Sequence, residues 1–375
     1  RPGAQPCLVR VQITGPDMAI VGRAAPLSLL VIRLSAMGDV AMTVPVLALL
    51  RRQYPEIKIT VLTTKFLQPF FREVADVSFF APDLKGRHKG VKGIWTMSRD
   101  LGRFDLVADL HDVLRSKGLR KLMRLKGSRV AYINKGQKEK KALTAPEKKI
   151  KVQLKTTVER YRDVFLKLGF DLPPVPLPER IRYPMSETVR ELAGAREKRW
   201  IGVSPFAQHR GKIYPPEMME RVIVRLSEIP GTKVFVFGGG ASEQAYAERV
   251  AALRENVVSA IGRVRLGEEM ELISNLDLMV SMDSSALHMS SLVGVPVVSV
   301  WGATHPFAGF YGFGQDPSLA VQLDMACRPC SVYGNKPCLY GTYACMSGIP
   351  PEAIVEKVCR RLGVEMPPEC DVPDR

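Results

Sequence analysis

The sequence predicts an α/β protein made of two doubly wound parallel-sheet domains facing across a cleft. Three observations carry that expectation. Strand-length apolar runs alternate with helical stretches along most of the chain; a proline-rich stretch interrupts the alternation, which then restarts; and glycine, serine and aspartate collect just after the apolar runs.

In order, residues 1–26 read as an N-terminal extension outside the fold. LSLLVIRL (Leu27–Leu34) is a continuous apolar run, as expected of a strand buried on both faces. SAMGDV follows, and then a helix to Tyr54 that tolerates Pro45 near its first turns. Strands are expected at Ile59–Thr63, Val77–Phe80, Asp105–Leu110 and Arg129–Ile133, with helices near Phe66–Val74, Ile94–Arg103, Val113–Leu125 and Thr156–Leu168. Two lysine-rich stretches, Lys85–Lys92 and Asn134–Lys151, read as loops. Such charge runs are ordinarily solvated, and the alternative is docking to an anionic surface.

Five prolines between Leu172 and Pro184 make a stiff connector, so residues 27–172 form the first domain and 173–198 the linker. The second domain, 199–349, restarts at Trp200–Pro205. A helix, KVFVFGGG, a second helix, VVSAIG and a third helix lead to SMDSSALHMSSLVGVPVVSVWG (Ser281–Gly302), and a helix at Pro351–Leu362 opens the C-terminal segment 350–375.

Composition bounds the function. At 375 residues with 46% hydrophobic and 25% charged side chains, the chain supports two folded cores. Fifty-four basic against 38 acidic residues give a formal charge of +16, which favours a polyanionic partner. No apolar run reaches the length of about 18 residues that a spanning helix needs, and no signal peptide stands out, so a cytoplasmic location is expected. Seven cysteines, four of them clustered late, do not resemble a secreted disulfide framework. No nucleic-acid-binding motif accompanies the charge, so nucleic acid is not an expected partner.

Chemistry should lie just beyond the carboxyl ends of the strands, where helix N-termini and permissive loops point. Ser284 and Ser285 open a helix whose free N–H groups suit a phosphate, with His288 on the same side of the first turn and Asp283 just before it. Asp283 alone reads equally well as a cap. Lys212 is sited to neutralise a diphosphate, and Asp39 on the other domain to take a proton from an incoming hydroxyl. Asp109 and His111 follow the fourth strand and, with Arg115, are the candidate acceptor-binding residues. Neither a Walker loop nor a G-x-G-x-x-G turn is present, which argues against a P-loop NTPase and a standard dehydrogenase. Cys327, Cys330, Cys338 and Cys345, spaced C-x2-C-x7-C-x6-C, could hold a structural zinc ion or stay as reduced, packed thiols.

LLVIRLSAMGDVAMTVPVLALLRRQYP, the VSP…GKIYP segment, FGGGASE and SMDSSALHMSSLVGVPVVSVWGATHP together resemble the ADP-heptose:lipopolysaccharide heptosyltransferases, over roughly Leu27 to Leu362. That resemblance implies a GT-B fold of two Rossmann-like domains and an inverting, metal-independent transfer from an ADP-sugar. The acceptor it implies is an anionic lipid A/Kdo-type glycolipid of the inner core, at the inner face of the cytoplasmic membrane. By position, Asp39 matches the catalytic base and Lys212 the lysine at the donor phosphates. Glu243 matches the acidic residue near the adenosine. Asp283, Ser284, Ser285 and His288 match the D-[ST]-G-x-x-H segment that holds donor sugar and diphosphate, with serine at 285 where glycine is commoner. A transferase using another nucleotide sugar and a non-catalytic two-lobed binding protein are the alternatives.

Overall fold

The computed structural model describes residues 26–196 and 198–368, so the expected extension, Pro26 apart, and the last residues of the tail lie outside them. The first sheet is built from β1 (Ser28–Ile32), β2 (Lys58–Leu62), β3 (Val77–Phe80), β4 (Leu106–Asp109) and β5 (Arg129–Tyr132). All are parallel, in the order β3-β2-β1-β4-β5. Its helices are α1 (Met37–Ala41), α2 (Val44–Gln53), α3 (Gly90–Leu101), α4 (Leu114–Leu125), α5 (Gln137–Leu143) and α6 (Thr157–Leu168).

Central β1 shows why an unbroken apolar run was needed. Leu29 and Val31 enter one apolar cluster and Leu30 and Ile32 another, on opposite faces of the sheet, and all four are inaccessible to water. Burying side chains of this size stabilises the fold by roughly 1.5–3 kcal/mol each, so a polar residue at any of these four positions would be severe.

Three expectations in this half need correction. The helix after β1 breaks between Ala41 and Val44, because Pro45 lacks an N–H and its ring would strike the carbonyl four residues back; the Thr43 hydroxyl bridges the break by donating to Val40 O at 2.6 Å. The stretch expected as a helix near Phe66 is a 3-10 segment, Lys65–Phe71, containing Pro69. The lysine-rich stretch 134–151 is no simple loop. It contains α5, and Lys140 on that helix is buried.

The linker is also more than extended chain. It contains α7 (Glu187–Ala193), and Tyr183 and Val189 are buried in the core. Beyond it come β6 (Arg199–Ser204), α8 (Pro216–Ser227), β7 (Thr232–Val236), α9 (Ala241–Ala251), β8 (Val257–Ser259), α10 (Leu266–Asn275), β9 (Leu278–Met282), α11 (Ser285–Leu292), β10 (Val297–Val300), β11 (Ala320–Val321), α12 (Ala344–Ser347) and α13 (Pro351–Leu362). Their sheet is parallel throughout, in the order β11-β10-β9-β6-β7-β8. The expected separate C-terminal segment is not separate. α13 packs on α8 and the second sheet, and Ile354, Val355 and Val358 are buried there.

The domains share one apolar cluster. Leu67, Phe70 and Phe71 of the 3-10 segment and Val40 of α1 belong to the same buried set as Leu266, Met270 and Ile273 of α10 and Ala286, Leu287 and Met289 of α11. Two cores meet below the cleft.

Candidate functional site

A cleft of about 530 Å³ opens where the carboxyl ends of the two sheets face each other. From the first domain it is lined by Ala36, Met37, Gly38, Asp39, Met42 and Phe66. From the second come Ser204 to His209 in part, Lys212, Gly238, Gly239, Glu243, Glu269, Asp283 to Ala286 and His288. The structure thus brings Asp39, Lys212, Glu243, Asp283, Ser284, Ser285 and His288 to one cavity.

Asp39 sits on the short helix α1 and forms an ion pair with Arg33, which leaves the end of β1. Arg33 donates from Nη1 to Leu110 O at 2.7 Å and lies over the Tyr161 ring, and the Tyr161 hydroxyl donates to Asp39 O at 3.3 Å. Burial opposes the guanidinium charge, but Tyr161 and Asp39 beside it hold its pKa above the ordinary value. Arg33 therefore stays cationic and fixes the direction of the Asp39 carboxylate.

Across the cleft, Lys212 closes a 3-10 turn (Arg210–Lys212), and its Nζ lies 2.8 Å from Oδ2 of Asp283. Both side chains are largely buried. Asp283 is therefore spent on the lysine rather than on capping α11. The N-cap is Ser284, whose hydroxyl sits 3.1 Å from that of Ser281 and makes no capping bond. The N-terminus of α11 is left with its positive end facing the cleft. His288, one turn on, is held neutral by burial, and its Nδ1 has no hydrogen-bond partner among the described residues.

The glycines after β7 serve close approach. A Cβ on Gly238 would meet Oε2 of Glu243 at 2.6 Å, and that same oxygen accepts from Gly239 N at 2.7 Å, which ties the first turn of α9 to the loop. Gly211 likewise has no room for a Cβ: Ala303 and Gly334 O stand 2.8 and 2.9 Å from where it would lie. So the cysteine-bearing loop packs directly on the turn that carries Lys212.

A second cavity, of about 240 Å³, adjoins the first. Arg33, Lys135, Lys140 and Arg160 give it a cationic wall, with His111 and Tyr161 between them. Ala36, Asp39, Phe310 and Tyr333 line both cavities, so Asp39 stands on the shared wall. Arg160 is matched by Glu139 at 2.6 Å and Lys135 donates to Asp112 O at 3.2 Å. Lys140 has no carboxylate within ion-pair distance among the described residues; it lies 4.1 Å from the Phe310 ring centre, and burial together with Arg160 brings its pKa down to about 8. Burial, followed by Arg33 and Lys135, lowers His111 to about 4.

Of the three candidate acceptor residues, only His111 lines this cavity. Asp109 is fully buried; its carboxylate receives Arg120 at 2.9 Å and the N–H groups of His111 and Asp112, so it shapes the turn instead of facing solvent. Arg115, on α4, does not line it either. Lys140, Arg160, Tyr333 and Glu269 were not singled out from sequence. Glu269 lines the main cleft from α10, and burial raises its pKa to about 7. A half-buried glutamate on an amphipathic helix carries no sequence signal of its own. Among the described residues no three His, Cys, Asp or Glu side chains are placed to hold a metal ion, and Cys327, Cys330, Cys338 and Cys345 are free thiols.

Two parallel α/β domains whose strand ends face each other across a cleft, with a cation and a helix N-terminus on one side and a carboxylate on the other, define a GT-B glycosyltransferase. The chain belongs to glycosyltransferase family 9 (heptosyltransferase), whose sequence model matches residues 94–337. It is 22% identical over 330 residues to lipooligosaccharide heptosyltransferase 2 of Campylobacter jejuni, covering 86% of this chain and 95% of the relative. With the lipopolysaccharide core heptosyltransferase OpsX of Haemophilus influenzae it shares 23% identity over 299 residues, 75% of this chain and 81% of the relative. In fold it is similar to a family 9 glycosyltransferase from Veillonella parvula, with a TM-score of 0.70 at 20% identity over 91% of this chain and 98% of the other. It also resembles E. coli ADP-heptose lps heptosyltransferase II, with a TM-score of 0.62 at 19% identity over 90% and 98%. No helix among the described residues is long and apolar enough to cross a membrane.

Proposed function

We propose that the enzyme transfers a heptose from ADP-heptose, with inversion, to a sugar hydroxyl of the inner core of lipopolysaccharide. The observation that carries this reading is the position of Asp39 on the wall between the two cavities. In the larger cavity the diphosphate lies against Lys212 and the N-terminus of α11, with the Ser284 and Ser285 hydroxyls beside it and Glu243 towards the adenosine. In the smaller one the acceptor, an anionic glycolipid of the lipid A/Kdo kind, meets Arg33, Lys135, Lys140 and Arg160.

Asp39 takes the proton from the acceptor hydroxyl as its oxygen bonds to the anomeric carbon, and the bond from that carbon to the diphosphate breaks on the opposite face. The electron pair leaves with ADP, and Lys212 and the α11 N–H groups receive the charge. Arg33 keeps the Asp39 carboxylate aimed at the shared wall, so little reorganisation remains for the reacting step. The names of the relatives and the shared fold support the heptose and the acceptor.

A thermal-shift panel tests the donor. ADP-heptose is expected to raise the melting temperature well above the effect of UDP- or GDP-sugars. Equal shifts with all three classes would reject ADP-heptose, and inverted product formed from another nucleotide sugar alone would replace it.

A further inference from the structure

We propose that the outward surface of α3 and α4 docks the enzyme on an anionic lipid surface. The proposal stands on this surface alone and does not depend on which sugar is transferred.

The two helices are neighbours, close enough that a Cβ on Gly118 would lie 3.3 Å from the Ile94 side chain. Both commit one side to the interior: Met97 from α3, and Ser116, Leu119 and Met123 from α4. What remains outside is unusual for a helix pair bounded by solvent. Val91 and Trp95, one turn apart on α3, are 85% and 58% exposed, and Leu114 and Leu125 on α4 are 89% and 84% exposed. Single exposed apolar residues need no explanation, but four large ones on adjoining helices do.

Cations fill the spaces between them. Lys92 and Arg99 on α3 and Lys117, Lys121 and Arg124 on α4 are exposed, and Arg99 stacks over Trp95 at 5.2 Å. Between Lys85 and Lys126 the sequence has 12 lysines and arginines against four aspartates and no glutamate. Those aspartates are spoken for: Asp109 and Asp112 by Arg120, Asp100 by Arg87 and His88, and Asp105 by Ser28. The surface charge is therefore positive.

Apolar side chains that can enter an acyl boundary, a tryptophan suited to the headgroup level and interleaved cations match an anionic bilayer on all three counts. The surface is also continuous with the site. Val113 lines the cationic cavity and Leu114 is the next residue, so a bilayer under α4 would hold a lipid-anchored acceptor at that cavity.

The chain has three tryptophans, of which Trp200 and Trp301 are buried, so a change of emission on binding vesicles reports Trp95. With phosphatidylglycerol–phosphatidylcholine vesicles we expect co-sedimentation that weakens with salt, together with a blue shift; with phosphatidylcholine alone, neither. K117Q/K121Q/R124Q should weaken binding roughly a hundredfold, because each cation near an anionic surface contributes on the order of fivefold. V91S/L114S/L125S, which keeps Trp95 as the reporter, should weaken both co-sedimentation and the blue shift. Both variants should keep the donor-induced thermal shift and turnover of a soluble acceptor fragment, which separates failure of docking from failure of the donor assignment. Vesicle binding without a Trp95 shift, or binding unaffected by either variant, overturns the proposal. So does a preference for single-stranded DNA over the vesicles.

Discussion

Gly38 lies against the ring of His288: a Cβ built on the glycine would stand 2.5 Å from Cδ2 of the histidine. The two residues come from different domains, α1 and α11, and their contact sets how closely the Asp39 side approaches the donor side. Alanine for glycine in an exposed helix stabilises by about 1 kcal/mol. Here the ring is buried and the added carbon has nowhere to go, so overpacking, typically about 1–3 kcal/mol, should win. Gly38→Ala is expected to lower both melting temperature and kcat/KM. A higher melting temperature with full activity would show that the domains separate without cost.

Asp39 is the one carboxylate on the wall common to both cavities, among the described residues that line them. Asp39→Asn preserves shape and removes the base, so kcat should fall by roughly 10²–10⁴-fold while donor affinity stays within about twofold. Measuring turnover and the donor-induced thermal shift on the same protein separates the two. Turnover near wild type would remove Asp39 from the mechanism.

Lys140 offers a pH test of the acceptor side. Its ordinary pKa of 10.5 is brought down to about 8 by burial, so it is charged below that pH and neutral above it. An anionic acceptor needs the charged form. Acceptor KM should therefore rise as pH passes through about 8, and Lys140→Met should raise KM and flatten that profile with little change in donor KM. An unchanged profile in the variant would assign the titration elsewhere.

Glu269 gives a stability test. Its pKa rises from 4.5 to about 7 because burial disfavours the charged carboxylate, so its folded-state contribution is fully present below about 4.5 and is lost as pH rises through about 7. Glu269→Gln removes that loss. The melting temperature of the variant should exceed wild type at about pH 8 and converge with it at about pH 4. An equal offset at both values would mean that packing, rather than titration, explains the effect.

Much of the cleft wall around Asp283 was legible because its signals are local. Strand, turn and helix follow one another in Ser281–Gly302, and the residues after a parallel strand necessarily gather at one rim. The cationic cavity was legible only in part. His111 could be placed at the end of its strand, but α5 looked like a charged loop, since QKEKKAL has too few apolar residues to show a period. Asp109 reads as available at the end of its strand, but Arg120, less than two turns into the next helix, neutralises it.

The sequence by itself determined the two parallel sheets, the rim on which the strand ends gather and the helix whose N-terminus opens on the cleft, because periodicity, glycine placement and helix ends are properties of neighbouring residues. Only the tertiary structure decided that Lys212 is held by Asp283, that Gly38 meets His288 between domains, and that Lys140 and Arg160 face Asp39. Those relationships join segments tens to hundreds of residues apart, and they arise from how the shared apolar core seats one domain on the other.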